Sequence, residues 1–309
     1  MIVEAGAPRL LLALLLAVAT ALAVDRWTAA RGFEPPGFER PWRRAAALAV
    51  LVSIFFVAVF LPMALFGLER APLSPDDVTT PRLFLLQGLL VLALVLWFLL
   101  GFAGTAPRAL AGADPSAEPG TAPEAELGTG PETAPRIGEG LAATFARQLG
   151  LASERPLVEL GIGLGAGVAG WLLVILLMLA VMALVWALGG EELLPTEPPE
   201  LVPWVAGLPL ATRAAIALTA GVVEELFFRG LLQPRVGIAL SSALFVLAHL
   251  SYEQPFMLIG IAALSLVFAW LVAWRRTILP AIAAHAAFDL IQLLIVVPQV
   301  LKRLPEVAG

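Results

Sequence analysis

Cysteine is absent from the chain, so disulfides, cysteine-ligated metals and thiol nucleophiles are all excluded. Charge is scarce as well: charged residues make up 14% of the sequence, against 60% hydrophobic residues. A soluble domain of that composition could not cover its surface with polar groups, so lipid is the first environment inferred. Lysine is nearly missing, with Lys302 alone among the 19 Lys+Arg. That preference for arginine fits a GC-rich coding bias and a bacterial source, and says nothing about mechanism. Histidine is limited to His249 and His285. The net charge of -5 carries little weight, because the carboxylates concentrate in one stretch.

What is present is apolar and arranged in runs. Segments of about 20 apolar residues mark membrane-spanning helices. Eight are read, over 8–25, 45–67, 83–103, 157–188, 208–235, 236–251, 255–274 and 277–299, which predicts an all-α, polytopic transmembrane bundle. Leu10–Val24, with Ala21-Leu22-Ala23 at its end, also fits a signal peptide with a small-residue cleavage site. Cleavage would place the next segment outside, yet that segment carries Arg26, Arg31, Arg40, Arg43 and Arg44, so a retained helix is the better reading. Basic residues set orientation through the positive-inside rule. The odd-numbered loops hold those five arginines with Arg108, Arg136, Arg147, Arg155, Arg235, Arg275 and Arg276, while the other side holds Arg9, Arg70, Arg82, Lys302 and Arg303. Both termini are therefore expected outside, with the odd loops in the cytoplasm of a bacterial cytoplasmic membrane.

Residues 104–140 change character. Pro107, Pro115, Pro119, Pro123, Pro131 and Pro135 are interleaved with small and acidic residues, and no aromatic occurs between Phe102 and Phe145. Nothing there can anchor a core, so a disordered cytoplasmic linker is expected. The chain divides into a three-helix N-terminal region (1–103), a linker (104–156) and a five-helix C-terminal domain (157–309). The fourth helix carries Gly161, Gly163, Gly165, Gly167 and Gly170. No strand precedes them and no Lys-Ser/Thr follows, so a phosphate loop is the poorer reading. Small residues four apart on a membrane helix let a neighbouring backbone approach.

Ionisable groups inside membrane helices are costly and are by default candidates for function. The last four helices contain Glu224, Glu225 and Arg229, then His249 preceded by Phe245, then His285 and Asp289. With a rise of about 1.5 Å per residue, Glu224 lies about 16 Å from the cytoplasmic helix ends, His249 about 19 Å, His285 about 12 Å and Asp289 about 18 Å. All fall near the middle of a hydrocarbon core of about 30 Å. Three helices thus bring carboxylate and imidazole to one level, which requires a shared, water-containing cavity.

Spacing divides the labour. Glu225 and Arg229 are four apart and can pair on one helix face. Glu224 points about 100° away and remains unpaired, which makes it the better general base. His285 and Asp289 are also four apart, so Asp289 can orient that imidazole. Glu224 with His249 can activate a water toward an amide carbonyl, and His285 beside Asp289 can donate to the developing oxyanion. Ser241, Ser242, Ser251 and Ser265 lack a Gly-x-Ser-x-Gly context, which weakens a serine mechanism. Each piece alone has a plainer explanation: a Glu-Glu pair is commonly a cap or salt bridge, a membrane histidine commonly bonds a neighbour, and Phe245 is packing. The catalytic reading rests on their coincidence in depth.

The run Glu224-Glu225-Leu-Phe-Phe-Arg229, then Phe245-x-x-x-His249, then His285-x-x-x-Asp289 resembles the three motifs of the CPBP family. That family includes the type II CAAX prenyl endopeptidases, and the resemblance covers about residues 157–300. It implies an intramembrane glutamic endopeptidase in which Glu224 and His249 activate water and His285 with Asp289 forms the oxyanion site. Glu225 and Arg229 would support them. Most members carry Asn at the position of Asp289, and an ionised Asp accepts hydrogen bonds without donating them. The spacing between the first two motifs is short and requires a tight turn around Gln233–Gly237.

No cofactor is expected, and the partners implied are the lipid bilayer and a peptide or protein substrate, with no nucleic acid. Zinc is the alternative cofactor, held by His249, His285 and Glu224 as a two-His, one-carboxylate site, although no His-Glu-x-x-His motif supports it. A non-catalytic membrane scaffold or immunity protein of the same fold is a second alternative. A transporter is a third, but it would need an inverted repeat, and residues 1–156 hold no second copy of the motifs.

Overall fold

The computed structural model describes residues 2–30, 40–66, 84–100, 141–194, 201–250 and 255–299. Every regular element among them is helical. The N-terminal part comprises α1 (Ile2–Ala30), α2 (Pro41–Phe55), a π-helical turn π1 (Phe56–Phe60), α3 (Leu61–Phe66) and α4 (Leu85–Leu99). The C-terminal part comprises α5 (Leu141–Gln148), α6 (Pro156–Ala187), α7 (Leu201–Gly207), α8 (Leu210–Glu225), π2 (Leu226–Leu232), α9 (Gln233–Ala248), α10 (Pro255–Arg275), α11 (Leu279–Leu290) and π3 (Ile291–Val296). The chain is an all-α, multi-pass integral membrane protein.

Six described helices are long and apolar enough to cross a membrane, where eight were expected. The difference has two causes. The helix expected over 83–103 appears as a shorter apolar helix, Gln87–Leu99. The helices expected over 208–235 and 236–251 run together as Leu210–Ala248, a stretch of 39 residues. At about 1.5 Å per residue that is nearly twice the thickness of the hydrocarbon core, so it cannot be one straight crossing. The break falls at Gly237, with φ 85° and ψ 170°, a conformation that a residue without Cβ adopts readily.

The two halves share one core. Ala13, Ala17, Ala21 and Val24 of α1, spaced along one helix face, are buried with Ile54 and Phe55 of α2 and with Phe227, Phe228 and Phe245 of the C-terminal part. The Phe55 and Phe227 rings meet edge to face with centroids 6.1 Å apart.

Glycine decides how close the C-terminal helices come. A Cβ at Gly163 would collide with the Pro280 carbonyl and the Ala283 side chain, and one at Gly167 with the Ala284 carbonyl and the Ala287 side chain. Gly161 and Gly165 face open space. Only part of the alternating run therefore serves packing, the part four residues apart that lies against the alanine-rich face of α11. Gly221 does the same between α8 and α11, where an added Cβ would lie 2.8 Å from the Ala286 nitrogen.

The expected linker is described only in part, since 104–140 lies outside the described residues. Its end, 141–156, is ordered. Leu149 is buried and sits against Gly230 of π2, where a Cβ would lie 2.8 Å from the Leu149 oxygen. The Gly150 carbonyl accepts hydrogen bonds from Thr277 Oγ1 and the Ile278 N–H, both at 2.8 Å. The composition that marks the linker stops at about residue 140, and the packing beyond it depends on contacts with residues far along the chain, at Gly230 and at Thr277 and Ile278.

The glycine geometry gives a direct test. Gly163→Val and Gly167→Val should each lower stability in detergent by about 1–3 kcal/mol or more through overpacking. Gly161→Val and Gly165→Val should leave the melting midpoint nearly unchanged. Equal melting of all four variants would show that close approach does not hold α6 on α11.

Candidate active site

The site forms where α8, π2, α9, α10 and α11 meet. Glu224 and Glu225 end α8, and Arg229 lies inside π2. π-Helical turns occur mostly as local bulges and often at functional sites. The close approach of Gly221 to Ala286 lies one turn from the glutamates on one helix and one residue from His285 on the other, and so brings the two groups into reach.

Glu225 is fully buried and Arg229 is 1% exposed. As the four-residue spacing requires, Arg229 Nη1 donates to Glu225 Oε1 at 2.9 Å. The same oxygen lies 2.9 Å from His285 Nδ1. Because an ionised carboxylate only accepts, Nδ1 carries a hydrogen in this contact. The other ring nitrogen, Nε2, lies 3.6 Å from Asp289 Oδ2. Arg229 is further held by Ser265, and its guanidinium carbon lies 4.3 Å from the centroid of the Phe245 ring, a cation–π distance.

Glu224 faces elsewhere. Its Oε2 lies 3.7 Å from His249 Nε2, beyond hydrogen-bond reach, and accepts no hydrogen bond from any described residue. His249 Nδ1 lies 2.7 Å from the Phe245 carbonyl. A carbonyl only accepts, so Nδ1 is the protonated nitrogen and a neutral His249 turns the lone pair of Nε2 toward Glu224. Phe245 thus does more than fill space: its carbonyl orients His249 and its ring packs against Arg229, with the His249 ring 4.6 Å away.

The structure therefore brings together every residue singled out in the motifs, in two neighbouring sets. Glu224 and His249 form one, and Glu225, Arg229, His285 and Asp289 the other. The link from Glu225 to His285 was not foreseen, because sixty residues separate them and no spacing rule reaches that far. Phe268, whose ring stacks on His285 with centroids 5.1 Å apart and planes at 22°, was also missed. Among the hydroxyls considered, Ser241 donates to the Phe228 carbonyl at 2.6 Å, Ser242 is buried, and Ser251 lies outside the described residues. Of the residues weighed for zinc, His249 faces Glu224 and His285 faces Glu225, and no group of three His, Asp or Glu stands at metal-binding spacing among the described residues.

Residues 206–291 match the family model described as Rce1-like, type II CAAX prenyl endopeptidase. The matched stretch contains Glu224, Glu225, Arg229, Phe245, His249, His285 and Asp289. The resemblance to the CPBP family read from the three motifs is borne out by that match. No curated protein and no solved structure matches the chain.

Removing one partner of a buried ion pair leaves the other charge uncompensated and costs about 3–5 kcal/mol. Arg229→Leu should therefore destabilise the protein by that amount. Arg229→Leu combined with Glu225→Gln should recover much of the loss, because neither member of the pair then keeps a charge and Gln still accepts from His285. Thermal melting of both variants decides it: a double variant no more stable than the single one would show that charge compensation is not what Arg229 provides.

Proposed function

We propose that the protein is an intramembrane endopeptidase that hydrolyses peptide bonds of membrane-associated or C-terminal peptide substrates, using a water activated by Glu224 and His249. The observation that carries this reading is the division of two adjacent glutamates. Glu225 is committed to Arg229 and His285, while Glu224 Oε2 stands against His249 Nε2 with no donor among the described residues. Two acceptors at 3.7 Å suit a water that donates one hydrogen to each. The water oxygen attacks the carbonyl carbon as Glu224 takes its proton. The C–N bond then breaks, and Glu224 returns that proton to the leaving amine.

His285 and Asp289 supply the oxyanion site. With Nδ1 donating to Glu225, His285 can donate to substrate only through Nε2, the nitrogen beside Asp289, and does so as the imidazolium, which carries a hydrogen on both ring nitrogens. In the reading we favour, Asp289 carries a proton and donates to the oxyanion, the role an Asn amide fills in most members of the resembling family. The site opens toward the cytoplasmic side in the orientation given by the positive-inside rule, and a bacterial cytoplasmic membrane fits the composition. Residues 157–309 form the protease domain in this reading, and 1–103 the N-terminal membrane region joined to it by the linker.

Glu224→Gln should abolish cleavage while the protein stays folded, and Glu225→Gln should retain measurable activity. Comparing membrane peptides from cells carrying wild type and Glu224→Gln tests this whatever the substrate is. Identical peptide profiles would favour a scaffold. Activity lost to a chelator and restored by zinc would favour the metal alternative.

Asp289→Asn separates the two roles open to that residue. If Asp289 donates to the oxyanion, the Asn variant should keep activity, whereas Asp289→Ala should lose about 10²–10³ in rate, the usual cost of one oxyanion donor. If Asp289 instead accepts from His285 as an anion, the Asn variant should be inactive across the pH range while still folded.

A further inference from the structure

α10 contributes no residue to the three motifs, yet two of its side chains hold the others in place. Ser265 and Phe268 are three residues apart and so share a helix face. Ser265 is fully buried and is the one hydrogen-bonding side chain apart from tryptophan between Pro255 and Trp274. Its hydroxyl and its carbonyl both accept from Arg229 Nη2, at 3.0 and 3.2 Å. Phe268 lies flat on the His285 ring, and its own ring centroid is 5.6 Å from the guanidinium carbon of Arg229.

We propose that Ser265 and Phe268 are positioning residues for His285, fixing which ring nitrogen faces the reaction. Ser265 pins the far side of the Arg229 guanidinium, so the near side delivers Nη1 to Glu225 Oε1. That oxygen is then held where His285 Nδ1 can donate to it. Phe268 covers one face of the imidazole while the Phe245 ring meets it edge-on at 6.0 Å, so the ring cannot turn over without displacing an aromatic side chain. A chain of contacts from α10 thus holds Nε2 toward Asp289. The assignment rests on reading His285 as the oxyanion donor.

The plainer account is that Phe268 only packs, as part of the apolar cluster with Leu264, Leu271, Ala281 and Ala284, and that Ser265 only satisfies a buried arginine. The two accounts differ in what they require of His285. Packing alone is indifferent to its ring orientation, whereas positioning predicts that the ring responds when either α10 side chain is changed.

Because the chain has only two histidines, nitrogen NMR of the full-length protein labelled with ¹⁵N-histidine resolves each ring, and His285→Gln assigns them. Wild type should show His285 in a single state with both ring nitrogens protonated. Ser265→Ala and Phe268→Leu should each shift or broaden the His285 nitrogens and leave those of His249 unchanged. Ser265→Thr and Phe268→Tyr should return the wild-type pattern. In a cleavage assay, the first two variants should lower kcat about 10-fold to 100-fold with KM little changed, as expected of a misplaced reacting group. His285 spectra of folded Ser265→Ala and Phe268→Leu that superimpose on wild type would overturn the proposal. If Phe268→Leu does not fold, Phe268→Met serves in its place and the same comparison applies. Absence of any cleavage by wild type would count against the endopeptidase reading, while the spectra would still decide the positioning role.

Discussion

A carboxylate with no solvent exposure, inside a bundle that itself sits in lipid, is tolerable only where donors converge on it. Glu225 meets that condition through one oxygen, which takes Arg229 from its own helical segment and His285 from α11. Much of the architecture serves that meeting. α8 and α11 approach closely because Gly221 has no side chain where Ala286 passes. α6 can lie on the other side of α11 because Gly163 and Gly167 leave room for its backbone. Arg229, among the largest fully buried side chains, is surrounded by aromatic rings and by Ser265, so its charge is met on every side that the described residues occupy.

The consequence for chemistry is a separation of tasks between neighbours in sequence. Successive residues of a helix point about 100° apart, and here that angle sends Glu225 Oε1 to Arg229 and His285 and Glu224 toward His249. The first is a structural charge whose value lies in fixing an imidazole. The second keeps acceptor capacity in a partly exposed position.

Much of this was legible from the chain itself, for reasons that are local. The pairing of Glu225 with Arg229 follows from a four-residue spacing, and the break near Gly237 from a short stretch that had to turn. The proximity of His285 to Asp289 follows from the same helical arithmetic. What stayed hidden depends on tertiary contact. Nothing in the composition of α10 marks Phe268 as the partner of His285, because a phenylalanine in an apolar helix is ordinarily core. Ser265 was visible as a lone hydroxyl, but its partner lies 36 residues earlier. The clasp of Leu149 and Gly150 on π2 and on the turn before α11 was read as the end of a linker, since a short helix after a proline-rich stretch carries too weak a pattern to announce packing. Glu159 and Arg275, bridged at 2.7 Å, escaped notice for the same reason: 116 residues separate them.

The central claim is that the two glutamates serve different histidines. Histidine nitrogen NMR of Glu224→Gln and Glu225→Gln, each in the full-length protein, tests it without a substrate. The account predicts that Glu224→Gln changes the His249 signals and leaves His285 as in wild type, and that Glu225→Gln does the reverse. Folded variants in which both substitutions disturb the same histidine, or in which neither disturbs either, would contradict it.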